Sequence, residues 1–131
     1  MLYTATAVTA ALNGLLILVL ALRVSQLRIR YQVSLGDGGH VSLLRAIRAH
    51  ANAAEHVPIF LVMLLLLEQL APAAAVWSLG GLFVVARCLF SAALLQRSFS
   101  RPRQIGAGLT YLCELIVAVW LLLGGLARVL A

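Results

Sequence analysis

Residues 2–22 read LYTATAVTAALNGLLILVLAL, a stretch without a single charge in which Asn13 and a few Thr and Tyr are the only polar relief. At about 1.5 Å of rise per residue, roughly 20 such residues cross a hydrocarbon core of about 30 Å. No basic region precedes the run and no small-residue cleavage site follows it, so it reads as a retained first span and not as a signal peptide. Outward from it, apolar runs recur at His56–Leu70, Ala73–Leu95 and Ile105–Ala131, with Pro72 and Pro102 near the breaks. The second run reaches membrane length only if the Arg- and His-rich segment from Val41 is helical as well. The predicted helices are therefore 2–27, 41–70, 73–96 and 103–130, forming a single transmembrane domain. Open sheet edges cannot face lipid, and the runs lack the alternation of a barrel. The fold class expected is an all-α, integral membrane four-helix bundle.

Composition agrees. Of 131 residues, 63% are apolar, against roughly 45 to 50% in soluble domains, and a chain this short has too much surface to hide them from water. Charged residues make up 11%: ten Arg, no Lys, and the four acids Asp37, Glu55, Glu68 and Glu114, for a net charge of +6. Several of these arginines lie within or beside apolar runs, and no basic face interleaved with aromatics appears. Membrane lipids, and not nucleic acid, are the expected surroundings. Cys88 and Cys113 both sit in apolar stretches and read as small packing residues, not as a disulfide framework. No metal is expected.

The first connection carries Arg23, Arg28 and Arg30, the third carries Arg97, Arg101 and Arg103, and the second has only Glu68 beside it. An excess of Arg marks the cytoplasmic side, which places loops one and three in the cytoplasm and both termini opposite. Arg128 alone runs against this orientation.

The chemistry concentrates in residues 43–60, LLRAIRAHANAAEHVPIF. At about 100° per residue, Arg45, Arg48, Asn52, Glu55 and His56 share an arc of roughly 100°, and Arg45 to Glu55 spans about 15 Å. The stripe runs from the headgroups towards mid-bilayer, where each ionisable group costs roughly 2.5 to 3.5 kcal/mol on insertion scales and faces a protein interior or a wet cavity. Guanidinium groups suit carboxylates and a carboxylate suits an ammonium, so a polar pocket open to the cytoplasm is expected. The plainer reading is an interhelical polar network that fixes packing. Pro58 denies the Ala54 carbonyl its donor and predicts a kink where the stripe ends.

If helices three and four form a hairpin turning near residue 100, Arg87 and Glu114 lie equally deep, with Glu55 and Asn13 near the same level. A structural ion pair of Arg87 with Glu114 or Glu55 is expected, because either charge alone is costly in lipid. Arg103, directly after Pro102, stands at the mouth of the bundle.

The run Val33-Ser-Leu-Gly-Asp-Gly-Gly39, followed by the pattern Arg45-x-x-Arg48-x-x-x-Asn52-x-x-Glu55 with Pro58 beyond it, resembles the bacterial members of the membrane-associated proteins in eicosanoid and glutathione metabolism, the MAPEG family. The resemblance covers the whole chain. It implies four-helix subunits assembled as a homotrimer in a bacterial inner membrane, with glutathione as co-substrate bound between subunits near the cytoplasmic side. It further implies that Arg48, Asn52 and Glu55 hold the tripeptide, with Arg45, His56 and Arg23 beside them. Arg103 is then the catalytic residue facing the thiol, and a lipophilic electrophile or hydroperoxide is the partner substrate of a transferase or peroxidase. The chemistry is consistent: glutathione carries two carboxylates and one ammonium, and a guanidinium beside a thiol of pKa about 8.5 favours the nucleophilic thiolate. Two positions depart from the family's usual residues. His56 stands where Tyr is common, and Arg87-Cys-Leu-Phe-Ser91 stands where the family has Arg-x-x-His-Ala.

Two functions of other classes fit the residues less well. A small multidrug transporter needs an acid in the first helix, which is absent here, and an Arg-rich pocket repels cationic drugs. A non-catalytic membrane scaffold or lipid-binding protein would use the stripe for packing alone.

Overall fold

The computed structural model describes residues 3–130 as four helices: α1 (Thr4–Tyr31), α2 (Val41–Leu67), α3 (Ala73–Gln96) and α4 (Arg101–Leu130). Residue 2, assigned to the first span, lies outside the described residues. All four helices are long and apolar enough to cross a membrane, and the chain forms a four-helix membrane bundle. Short connections make successive helices antiparallel. α3 packs against each of the others and is the most enclosed, whereas α4 is the least.

The bounds differ from expectation at four ends, the first being the start of α1 at Thr4, after a left-handed Tyr3 (φ 64). α1 runs to Tyr31, a turn beyond the predicted stop, because the Arg-rich segment after the apolar run favours helix and needs no lipid to form it. It stops at Gln32, whose left-handed backbone (φ 56) returns its N–H to the α1 carbonyls. Arg28 then donates to the carbonyls of Ser34 and Gly36, which ties down a loop whose glycines 36, 38 and 39 all take positive φ. α4 begins at Arg101 because Pro102 is tolerated in a first turn. α2 continues through Pro58 without a break.

α2 ends at Leu67, short of residue 70, and the next residue explains why. Glu68 reaches across to the start of α1, where its carboxylate accepts from the Ala5 and Thr6 amides at 3.0 Å and from the Thr6 hydroxyl. α1 has no capping side chain of its own, so a neighbouring helix supplies the negative charge that its N-terminus favours. Partial burial works against the charged form of Glu68, but these hydrogen bonds outweigh it and hold the carboxyl below its ordinary value. A lowered folded value contributes stability that is present above the ordinary carboxylate range and is lost as pH falls through the lowered value. Glu68→Ala is therefore expected to cost about 1 kcal/mol at neutral pH, the usual size of a lost cap. The gap from wild type in thermal unfolding should close as the medium is acidified. Equal melting at pH 7 would show that α1 does not depend on this cap.

The core has two main layers. Towards the Glu68 end, Phe60 stacks on Phe83 with ring centroids 3.7 Å apart, and Leu64, Leu67, Val76 and Val117 enclose them. Towards the Arg-rich end, Leu20, Ala49, Ala53, Phe90 and Leu94 form a second cluster. Cys113 lies in the first layer, while Cys88 faces outward and is not the buried packing residue expected.

Candidate functional site

The α2 stripe divides between two places. At its outer end Arg45 bends towards the loop between α3 and α4, donating from Nε to the Ser98 hydroxyl at 3.0 Å and from Nη1 to the Gln96 carbonyl at 2.8 Å. Arg103 comes from the opposite side and donates to the Ser98 carbonyl. One loop residue thus holds two guanidinium groups. Together with Arg48, which has no partner among the described residues, they line a cavity of about 200 Å³ closed by Leu44 and Leu94. No acidic side chain lines it. Three cations gathered without an acidic side chain among the lining residues favour an anionic ligand by elementary electrostatics.

Arg103 also forms part of a second cavity, of about 300 Å³, with Phe90, Phe99, Gln104 and Tyr111. Its Cζ lies 5.6 Å from the Phe90 ring centroid, and the Cζ of Arg87 lies 5.0 Å from the same ring. Arg103 is therefore a shared wall between a basic chamber and an aromatic one. Sequence reading places Arg103 at the mouth; it misses Ser98 and Phe99. A short loop has no periodicity by which those two could have been found.

At the inner end of the stripe the expected Arg87–Glu114 pair is not formed. Glu114 instead meets His56, Oε1 to Nδ1 at 2.8 Å, the one carboxylate–base contact within 4 Å among the described residues. His56 also leans on Tyr111, centroids 5.5 Å apart. It thereby turns to α4 and away from the arginine cavity, contrary to its expected place beside Arg45 and Arg48. Arg87, almost fully buried, donates instead to Asn52 Oδ1 at 2.6 Å and to Thr110 Oγ1 at 3.3 Å. Equal distance from the hairpin turn sets depth, but the azimuth of each helix decides who meets whom. Glu55, the other candidate partner for Arg87, faces outward.

The remaining residues are placed as follows. Asn52 gives its oxygen to Arg87, which leaves its amide N–H groups free to donate. Arg48 is exposed on α2 where it lines the arginine cavity, whereas Glu55, exposed on α2, and Arg23, exposed on α1, line neither cavity. The structure thus brings Arg45, Arg48 and Arg103 together and links Asn52 to Arg87. It leaves Glu55 and Arg23 on outer surfaces.

Comparison with known proteins gives two findings. The model of the MAPEG family matches residues 6–123. Inner membrane protein YecN of Escherichia coli (strain K12) is 32% identical over 114 residues, which cover 87% of this chain and 86% of that protein. The protein of the same name from Escherichia coli O6:H1 matches with the same figures.

Proposed function

The chain belongs to the MAPEG family, which includes glutathione-dependent enzymes, and from that premise we propose that it binds glutathione and joins it through its sulfur to lipophilic electrophiles or uses it to reduce hydroperoxides. The observation that carries this reading is the convergence of Arg45, Arg48 and Arg103 around one cavity, two of them held on Ser98. Glutathione offers two carboxylates and a thiolate, and paired guanidinium groups are the geometry that carboxylates favour. Arg103 acts on the thiol by electrostatics: its charge stabilises the thiolate without itself taking the proton. The aromatic chamber on its other side, with Phe90, Phe99 and Tyr111, suits the apolar co-substrate, which arrives from the bilayer.

Arg48, Glu55 and Arg23 are exposed charged groups, and all three stand on helices long and apolar enough to cross a membrane. Left towards lipid, each would cost several kcal/mol, on the order of the 2.5 to 3.5 measured for insertion. A homotrimer in which neighbouring subunits cover them, with glutathione in the seam, removes that cost. The relative's name supports placement in an inner membrane, and the Arg-rich loops one and three then face the cytoplasm.

Calorimetric titration of the detergent-solubilised protein with glutathione tests the reading. Saturable binding is expected, and Glu55→Ala should weaken it about tenfold, as loss of one charged hydrogen bond to the ammonium would. An unchanged dissociation constant would make the stripe a packing device.

A further inference from the structure

A third cavity, of about 420 Å³, opens on a different face of α3 and shares a single lining residue, Ser100, with the aromatic chamber. Its walls are graded along the helix: Leu89, Ala92 and Ala93 lie deep, and Gln96, Arg97 and Ser100 lie at the shallow end. Phe90 and Leu94, between them in sequence, point instead into the two arginine-lined chambers. From Leu89 to Arg97 the groove runs about 12 Å along the axis, from the apolar part of the span to the level where α3 ends. The volume falls within the roughly 300 to 1,000 Å³ of small-molecule sites.

The polar end is short of partners. Arg97 is exposed and makes no side-chain contact with an acid among the described residues. The Ser100 hydroxyl is shielded from solvent yet has no hydrogen-bond partner, although it stands where a serine ordinarily caps the helix that follows. Arg101 adds a second exposed cation between the lining residues Ser100 and Pro102. An apolar channel that ends in guanidinium and hydroxyl donors at an interfacial level matches a molecule with a chain at one end and an anionic, oxygen-rich group at the other.

We propose that this groove is a binding site for an anionic phospholipid, whose acyl chain lies along Leu89, Ala92 and Ala93 and whose phosphate is held by Arg97 and the Ser100 hydroxyl. Charge complementarity selects the occupant: a zwitterionic headgroup would set its own cation against Arg97 and Arg101. A free anion would gain the donors and leave the apolar wall uncovered.

Native mass spectrometry of the purified full-length protein in detergent reads lipid retention directly. Phosphatidylglycerol should be retained in preference to phosphatidylcholine of the same chains, and millimolar inorganic phosphate should not displace it. Arg97→Gln should lower phosphatidylglycerol affinity about fivefold, the size one arginine contributes at an anionic surface. Ala92→Phe, at an exposed position where folding is not at risk, should fill the channel and lower retention of both lipids. Arg30→Gln, an exposed arginine on α1, should change nothing. Equal retention of the two lipids by the wild type would overturn the proposal. So would equal losses in Arg97→Gln and Arg30→Gln, which would mean surface charge alone, or displacement by phosphate with no effect of Ala92→Phe, which would mean a free-anion site.

Discussion

Arg103→Ala is expected to lower the rate of glutathione conjugation to a chloronitrobenzene about 10²-fold at pH 6.5, the range lost when one preorganised donor is removed from a developing or resident anion. In that reaction the thiolate forms a carbon–sulfur bond as chloride leaves, so the rate follows the fraction of glutathione held as thiolate. Without the guanidinium the thiol returns towards its free pKa of about 8.5. The deficit should therefore be large below that value and shrink by pH 9, where free glutathione is largely ionised already. A deficit of constant size across pH would mean that Arg103 positions the thiol without ionising it. Glutathione binding should largely survive, because Arg45 and Arg48 still line the cavity. Arg103 also holds the Ser98 carbonyl and faces Phe90, so a thermal-unfolding control belongs beside the rate. Arg103→Lys keeps the charge but loses the planar fork and should recover part of the rate. Equal rates in wild type and Arg103→Ala would remove the residue from the mechanism.

Much of the fold is legible in the sequence because lipid leaves a chain few options: where an apolar run is long enough, only a helix satisfies its backbone. The Arg-rich segment after Leu22 was harder to bound, since nothing in its composition says where helix should give way to loop; Tyr31 is its end only because Gln32 turns left-handed. Glu68 as a cap for α1 is a tertiary fact, invisible from two segments more than sixty residues apart. For the site, the helical period placed Arg45 and Arg48 on one face, and the bundle puts both on one cavity. The same period could not choose a partner for Glu114. Residue counting from a hairpin turn gives depth and not azimuth, so it points to Arg87, whereas the packing of α2 against α4 gives the carboxylate to His56. Ser98 was beyond reach for a simpler reason. It works through its backbone carbonyl as much as its side chain, and any residue there has a carbonyl.

Gly106→Ala is expected to be the most damaging single-methyl change in the bundle. A Cβ at this position would stand 2.7 Å from the Phe90 amide nitrogen, 2.9 Å from the Ala86 carbonyl oxygen and 2.9 Å from the Phe90 Cα. All three are backbone atoms of α3, so no rotamer change relieves the clash and the two helices must move apart. Close approach through small residues is how membrane helices gain packing contact when lipid competes for every apolar surface. Overpacking of this kind costs about 1 to 3 kcal/mol, against which alanine recovers up to about 1 kcal/mol of helix propensity. Gly108→Ala separates the two effects, since nothing lies within 4 Å of a Cβ there. It should melt at or slightly above the wild-type temperature while Gly106→Ala melts below it. The consequence for the site follows from position. Gly106 lies one turn from Arg103 and directly against Phe90, the ring that both Arg87 and Arg103 face. Pushing α4 outward lengthens the Arg103–Phe90 contact and strains the Arg87–Thr110 hydrogen bond. Conjugation activity in Gly106→Ala should therefore fall well beyond the fraction of protein that unfolds at the assay temperature. A variant that melts at or above wild type, or loses activity only in step with unfolding, would mean that the α3–α4 contact yields without disturbing Arg103.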